Sequence, residues 1–398
     1  MSDISLIMSP PSSVMFMFSI VAYFSVGVLN CSRNYDLGGM KINVSPQECR
    51  YCCVSSGVSI DVDGVNSLIS SAVKHKIEVL KLLVHVKPLF VLPNFCSASD
   101  TLNKLVLEPH CVLDVASGIY FSSLKTLKLS CVTFANEKSV QQLFSGCPVL
   151  QKLSLCNCNW CNIKQISITT PTLKILTIFS GLSVYMNSTV KIDAVNLLYF
   201  SYTGYSMVDF VLVNLASIVD ARVDCFYPLF GHTIGTPVSK LLGGLGSIKS
   251  LRLSNDTLQC LLLAKYTRHL LPMFNNLTHL HVDLGASEFT SEALMNILQK
   301  TPKLEVLHIP LICLDAQDWI LNSVPCCFKY SLKLFCISHF RGRVAEVQLL
   351  KFFLENAAVL GEIWIFCSKT LSVNLKKQAE VSNQLQPVCP GTCVIKFQ

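Results

Sequence analysis

The chain has 398 residues, of which 51% are apolar and only 14% are charged, and its mean hydropathy is +0.49. This length excludes a small disulfide-stabilised domain and accommodates either several domains or one long array of repeats. The formal net charge is +7, a mild excess. We therefore expect no nucleic-acid partner, since such proteins usually carry a concentrated basic patch.

The first predicted feature is an uncharged apolar stretch at residues 14–29, "VMFMFSIVAYFSVGVL". It is shorter than the roughly 20 residues that a bilayer core requires. No Lys or Arg precedes it, so it lacks the basic flank of a signal peptide. We interpret residues 1–61 as an atypical N-terminal segment, and an N-terminal membrane anchor remains the minority alternative.

From residue 77 onward the pattern L-x-x-L-x-L recurs with conservative replacements. Clear copies are "IEVLKL", "LNKLVL", "LKTLKL", "LQKLSL", "LKILTI", "IKSLRL", "LTHLHV", "LEVLHI" and "LKLFCI", and looser ones are "LLYFSY" and "IVDARV". Their central apolar residues fall at positions 80, 105, 127, 153, 176, 200, 221, 251, 280, 307 and 335. Steps of 21 to 30 residues are typical of leucine-rich repeats, in which a short strand is followed by a helix or an irregular return.

Stacking explains why so apolar a chain needs no membrane. Alternating leucines lie on one face of each strand, and one unit alone cannot bury that face. The pattern therefore predicts an α/β leucine-rich-repeat solenoid over residues 62–325, with a curved parallel sheet of about eleven short strands. Two intervening stretches, "SVQQLFSGCPVL" and "TSEALMNILQKTPKL", predict short amphipathic helices that end before a proline.

The pattern changes after the last repeat. Residues 344–358 have helical spacing, and they are followed by the strand-like sequences "EIWIF" and "CVIKF". We expect residues 326–398 to form an α/β unit that covers the exposed end of the solenoid.

Three stretches resemble a plant family, the F-box proteins with leucine-rich repeats and a C-terminal FBD domain. They are "VNSLISSAVKHKIEVLKLLV" with "FVLPNFCSASDTLNKLVL", "YFSSLKTLKLSCVTFANEKSVQQLFSGCPVLQKLSLCNCNW", and "SLKLFCISHFRGRVAEVQLLKFFLENAAVLGEIWI" with the terminal "CVIKF". The resemblance covers residues 62–398. It implies repeats that hold a substrate and an F-box that binds a Skp-type adaptor of a Skp–cullin–F-box ubiquitin ligase.

The N-terminal segment departs from that family pattern. Residues 1–61 contain neither the Leu-Pro nor the Trp of an F-box. We therefore expect a non-catalytic recognition scaffold that resembles the substrate-binding part of such a ligase subunit, with adaptor binding doubtful. A free-standing binding module or a truncated form without a ligase role is the first alternative.

The cysteines do not predict a metal site. Cys147, Cys156, Cys158 and Cys161 are spaced C-x8-C-x-C-x2-C, whereas structural zinc usually requires two C-x(2–4)-C pairs or one pair with histidines. Cysteines beside strand residues are more often small buried hydrophobes, which favours a reducing compartment, the cytoplasm or nucleus. Catalytic motifs such as G-x-S-x-G, the P-loop and H-E-x-x-H are absent, so we expect neither an enzyme nor a cofactor.

The residues between the leucines are the candidate binding residues, because they should face the concave side of the solenoid. Two repeats could bring three imidazoles together there, from His279, His281 and His308, although ordinary exposed polar positions explain them more simply. An acidic protein surface would fit the predominantly basic set, and a merely solvated face is the alternative. The candidate contacts are Lys104, Lys125, Lys128, Lys152, Ser154, Lys174, Lys249, Arg252, His281 and His308.

Overall fold

A computed structural model provides the structure of the protein. It describes residues 34–37, 40–44, 48–53, 76–83, 89–92, 100–108, 112–160, 163–181, 188–205, 208–226, 235–263, 271–284, 291–310, 324–389 and 393–398. The apolar stretch at residues 14–29 lies outside these ranges. Within them, no helix combines the length and the apolar character needed to cross a membrane.

One large sheet of 16 strands runs through the molecule. Its order is β1-β2-β3-β4-β6-β8-β10-β12-β14-β16-β17-β18-β19-β20-β21-β22. The first three strands pair antiparallel, and all later neighbours pair parallel. The strands of this sheet are β1 Asn34–Leu37, β2 Met40–Val44, β3 Glu48–Cys53, β4 Val79–Leu83, β6 Lys104–Leu107, β8 Thr126–Ser130, β10 Lys152–Cys156, β12 Ile175–Phe179, β14 Tyr199–Tyr205, β16 Asp220–Phe226, β17 Ser250–Ser254, β18 His279–Asp283, β19 Val306–Pro310, β20 Leu334–Phe340, β21 Glu362–Cys367 and β22 Val394–Phe397.

The predicted repeat is confirmed strand by strand. All eleven central apolar residues lie in the large sheet, and they stand beside one another in its register; Leu127, Leu153 and Leu176 are an example. These three side chains are fully buried. Because each repeat places its leucines at the same height, the leucine row forms one continuous core, as in a leucine-rich-repeat solenoid.

A second layer of short strands closes part of this core. Two three-stranded parallel sheets, β5-β7-β9 and β11-β13-β15, carry the return segments of the earlier repeats. Ile166 and Val190 stand in register there and are buried. β-Branched residues at alternate positions favour such half-buried strands. These strands are β5 Leu89–Leu92, β7 Val112–Val115, β9 Thr133–Phe134, β11 Gln165–Ile168, β13 Thr189–Asp193 and β15 Asp209–Val213.

Helices close the core elsewhere. Both helices predicted between repeats are confirmed, at Glu137–Ser145 and Ser291–Leu298. The first begins at Asn136, whose side chain accepts a hydrogen bond from the Ser139 backbone N–H, a usual N-cap. The helices are α1 Glu137–Ser145, α2 Gly235–Gly243, α3 Asn255–Leu263, α4 Ser291–Leu298, α5 Cys326–Tyr330, α6 Val344–Asn356, α7 Lys369–Ser372 and α8 Leu375–Leu385, with a 3-10 turn at Gln386–Val388.

Two regions differ in the elements that cover the core side of the large sheet. We call residues 76–226 the strand-backed region, because β5, β7, β9, β11, β13 and β15 lie there. We call residues 235–310 the helix-backed region, because its returns contain α2, α3 and α4.

The C-terminal unit continues the same large sheet. The helix and both strands predicted there are confirmed as α6, β21 and β22. Phe353 of α6 stacks on Phe335 of β20 with ring centroids 3.8 Å apart, which fixes the helix against the sheet. The buried Glu346 carboxylate accepts backbone hydrogen bonds from Arg341 and Arg343 and so satisfies the start of α6.

Candidate functional site

The large sheet has one face packed on the core and one face open. Residues at the second and fourth positions of the repeat strands are buried in the core, as in the pattern of β10. Residues at the first, third and fifth positions lie on the opposite side, which we call the open face. In repeat solenoids the corresponding face is the concave surface that is used for binding.

The third strand positions form a continuous row of side chains across the open face. Neighbouring strands lie about 4.8 Å apart, so each side chain stands beside its equivalent on the next strand. The row runs Lys128, Ser154, Thr177, Ser201, Arg222, Arg252, His281, His308, Cys336, Trp364 and Lys396.

The predicted contact residues fall into three positions of this arrangement. Five occupy the third-position row: Lys128, Ser154, Arg252, His281 and His308. Lys104 and Lys152 occupy first strand positions. Lys125, Lys174 and Lys249 stand one residue before their strands, exposed at the edge of the sheet. Their role as partner contacts remains a prediction.

An acidic centre, Asp283, contacts three basic side chains. Its carboxylate accepts two hydrogen bonds from Arg252, each 2.6 Å long, and lies 3.0 Å from His281 Nε2 and 3.3 Å from an Arg222 nitrogen. Burial alone would raise the pKa of Asp283, but the hydrogen bonds from His281 and Arg252 outweigh it and hold that pKa well below its usual range. This part of the open face is therefore neutralised from within.

The sequence reasoning missed three members of that cluster, Asp283 itself and two residues of β16. Arg222 and Asp224 belong to the loose repeat copy "IVDARV" and its following residue. Burial raises the pKa of Asp224, and Ser254 and Arg222 oppose that shift. The alternating polar positions of β16 were the signal that could have located both residues.

Two of the three candidate histidines come together. The rings of His281 and His308 meet edge to face, with centroids 4.0 Å apart. His279 lies two residues earlier, where its Nδ1 is 2.9 Å from Thr278 Oγ1. Burial and the neighbouring His281 and Arg252 lower the pKa of His308 to about 4, so this ring is neutral at physiological pH. Its Nε2 is buried without a hydrogen-bond partner among the described residues.

Aromatic side chains continue the open face into the C-terminal unit. Phe366 stacks on His308 with centroids 6.0 Å apart. Trp364 Nε1 donates a hydrogen bond to Glu362, and Lys396 lies 2.9 Å from the same carboxylate and over the indole ring. Hydrogen bonds from Lys396 and Trp364 lower the pKa of Glu362.

Ion pairing divides the cations of the open face into two groups. Lys128 pairs with Glu108 at 2.9 Å, and Lys333 pairs with Glu305 at 3.0 Å. Among the residues that the structure describes, five predicted contacts form no ion pair: Lys104, Lys125, Lys152, Lys174 and Lys249. Four of these five belong to the strand-backed region.

The cysteine cluster is divided between core and surface. Cys147 is buried and its thiol donates to the Leu143 carbonyl, while buried Cys158 donates to the Leu129 carbonyl. Burial raises the pKa of Cys147 to about 12. Cys156 is half-buried at the fifth position of β10, and Cys161 lies outside the described residues. Over the part of the chain that is described, no three His, Cys, Asp or Glu residues are grouped to hold a metal ion.

Comparison with protein families identifies two matching segments. Residues 65–208 match the family described as "FBD-associated F-box protein At5g56370, LRR repeats". Residues 321–365 match the family described as FBD.

Similar proteins come from Arabidopsis thaliana. The chain is 28% identical to "F-box/LRR-repeat protein At4g14096" over 86% of its own length and 76% of the relative's. It is 29% identical to "F-box/LRR-repeat protein At3g59210", over 83% and 73%, and to "F-box/FBD/LRR-repeat protein At1g78750", over 73% and 65%. The resemblance to plant F-box proteins with leucine-rich repeats and an FBD domain is confirmed.

Proposed function

We propose that this F-box-family repeat protein is a non-catalytic recognition scaffold that binds a protein partner on the open face of its large sheet. The observation that carries the proposal is the third-position row, in which polar and aromatic side chains from successive strands stand above a fully buried leucine core. Such a row presents many contacts on a rigid support, and this suits binding of an extended partner.

In its finer form, the proposal is that the bound partner is a ubiquitination substrate. The support is the similarity to proteins named as F-box proteins. We propose the cytoplasm or nucleus as its compartment, because buried cysteines such as Cys147 and Cys158 serve as core residues and suit a reducing environment.

Co-purification tests the ligase form of the proposal. The full chain is co-expressed with a Skp-type adaptor and recovered through a tag on the chain. Stoichiometric recovery of the adaptor supports a ligase subunit. Recovery of the chain alone contradicts direct adaptor binding and leaves the free-standing binding module.

Proximity labelling followed by direct binding tests the recognition function itself. Proteins labelled by the tagged chain are purified and titrated against wild-type chain and against Trp364→Ala, which alters the open face. A control variant, Lys376→Ala, changes an exposed side chain of α8. Loss of binding only in the first variant supports recognition through the open face, and equal binding by both variants contradicts it.

A further inference from the structure

One part of the open face carries short hydroxyl side chains between longer basic ones. Ser154, Thr177 and Ser201 stand beside one another at the third positions of β10, β12 and β14. The next members of the row on either side are the long cations Lys128 and Arg222. Three short hydroxyl side chains between two long ones leave a depression, which we call the hydroxyl trough.

Unpaired lysines line one rim of the hydroxyl trough. Lys125, Lys152 and Lys174 come from three successive repeats and are exposed. Lys152 occupies the first position of β10, whereas Lys125 and Lys174 lie one residue before β8 and β12. Three cations are therefore carried on three neighbouring strands near one edge of the sheet.

The acids nearest the hydroxyl trough are Glu108 and two residues of β16, Asp220 and Asp224, three against the five cations Lys125, Lys128, Lys152, Lys174 and Arg222. Glu108 is engaged by Lys128 and Ser130, each at 2.9 Å. Asp283, farther along the sheet, is engaged by Arg222 and Arg252. The local balance of charge is thus positive, and lysines left without partners attract an anionic ligand.

We infer that the hydroxyl trough binds an extended peptide segment of the partner that carries several Asp or Glu side chains. Carboxylates accept hydrogen bonds from both lysine and hydroxyl donors, and Ser154 and Thr177 donate to no other described residue. From β8 to β16 the trough spans four strand intervals, about 19 Å, which an extended segment of about six residues would cross. This inference rests on the proposed function and specifies the chemistry of the partner.

The exposed ring of Phe179 gives the opposite rim an apolar contact. Phe179 occupies the fifth position of β12 and is 38% exposed. An exposed aromatic ring beside the lysines favours a peptide with an apolar residue among its acids. It does not provide the series of stacking platforms that single-stranded nucleic acid requires.

Fluorescence anisotropy with defined probes tests the inference on the full chain. The probe is a labelled eight-residue peptide of alternating Glu and Ser, compared with a peptide in which Gln replaces each Glu and with a labelled oligothymidine. We expect the Glu peptide to bind at least about tenfold more tightly than the other two, a difference of about 1.4 kcal/mol. A Gln peptide or oligothymidine that binds as tightly overturns the inference, as does failure of the Glu peptide to bind.

Matched variants locate the binding. Lys152→Glu/Lys174→Glu reverses two rim charges, and Ser154→Phe fills the trough without a change of charge. Their controls are Lys138→Glu/Lys164→Glu and Ser167→Phe, which alter exposed or half-buried positions on the opposite side of the same region. We expect each test variant to bind the Glu peptide at least about tenfold more weakly than the wild-type chain. Each control variant should change that affinity by less than about twofold.

If the test and control variants lose affinity for the Glu peptide equally, the hydroxyl trough is not its binding site. Circular dichroism monitors folding, and the milder Lys152→Gln/Lys174→Gln replaces the reversed pair if that variant is unfolded. A purified partner that binds Lys152→Glu/Lys174→Glu as tightly as wild type, yet loses binding to Trp364→Ala, would support recognition through the open face. The same result would contradict binding in the hydroxyl trough.

Discussion

The strand-backed and helix-backed regions share one leucine row but close the other side of their cores differently. In the strand-backed region most steps between central apolar residues are 21 to 25 residues, and in the helix-backed region they are 27 to 30. A strand rises about 3.3 Å per residue and a helix about 1.5 Å, so a helical return of equal height consumes more residues. Repeat length therefore determines which element backs the sheet.

The exception in the strand-backed region follows the same rule. The step from residue 127 to residue 153 is 26 residues, the longest in that region, and it contains α1. Repeat length rather than position along the chain thus explains the change of layer.

The open faces of the two regions differ as well. The strand-backed region carries exposed lysines that form no ion pair within the described residues, such as Lys152 and Lys174. The helix-backed region carries Arg252 and His281, both bound to Asp283. The first surface is available to an anionic partner, whereas the second is held rigid by its own ion pairs.

The largest expected effect comes from the aromatic core of the strand-backed region. Trp160 is 2% exposed and stacks on Phe134 with centroids 4.8 Å apart. We expect Trp160→Ala to lower the free energy of unfolding by about 4 kcal/mol, because it removes a large buried ring and leaves a cavity. Urea unfolding measures this, beside Leu294→Ala of the helix-backed region at about 3 kcal/mol. A Trp160 variant as stable as wild type would refute the aromatic core.

Removing the acidic centre should destabilise the helix-backed region. Asp283→Asn leaves Arg222, Arg252 and His281 close together without their common carboxylate, and we expect a loss of about 2 kcal/mol. Urea unfolding at pH 7 measures it. Glu305→Gln, which breaks an exposed pair with Lys333, is the control and should change stability by less than about 0.5 kcal/mol. Similar small losses in both variants would mean that Asp283 does not organise the cluster.

Acid should weaken the fold through His308. The folded-state pKa is about 4 against an ordinary value of about 6.5, so the unfolded chain takes up this proton first. Stability contributed by neutral His308 is complete above pH 6.5 and is lost as the pH falls toward 4. The full pKa difference corresponds to about 3.4 kcal/mol, and the partial exposure of the ring reduces the expected loss to about 2 kcal/mol. Thermal unfolding across this range should show a flatter pH dependence in His308→Leu than in wild type.

The exposed histidine of the same strand pair provides the comparison for that measurement. His279→Gln, which replaces an exposed ring of β18, is measured beside it. If thermal stability depends on pH equally in His308→Leu and in wild type, the His308 imidazole does not cause the loss of stability in acid.

The smallest expected effect concerns stability at the hydroxyl trough. Lys152→Gln changes an exposed side chain that forms no ion pair within the described part of the chain. We expect the free energy of unfolding to stay within about 0.5 kcal/mol of wild type. A larger loss of stability in urea unfolding would show that Lys152 supports the fold. It would contradict the view that the lysines of the strand-backed region are available to a partner.

Periodicity predicted the positions of the repeat strands because burial repeats at every turn of the solenoid. Leu153, for example, occupies a place that only an apolar residue can fill. The second-layer strands were not predicted individually, since segments such as "ISI" are too short to separate from an irregular return. The step lengths were visible in the sequence and could have predicted the layer.

The candidate site was predictable in position but not in charge balance. Alternation on each strand located Lys128, Ser154, Arg252, His281 and His308 in one row. Pairing with Asp283 depends on fifth-position residues and on lateral register between strands, which one repeat's sequence does not encode. The distinction between paired and unpaired cations therefore required the three-dimensional structure.

The most direct measurement compares single neutralisations in the two regions. Lys174→Gln and Arg252→Gln each remove one positive charge from or beside the open face, and each is titrated with the labelled Glu-Ser peptide. The account predicts about fivefold or greater weakening for Lys174→Gln and less than about twofold change for Arg252→Gln, because the Arg252 guanidinium is already occupied by the Asp283 carboxylate. Equal weakening by the two variants would contradict it.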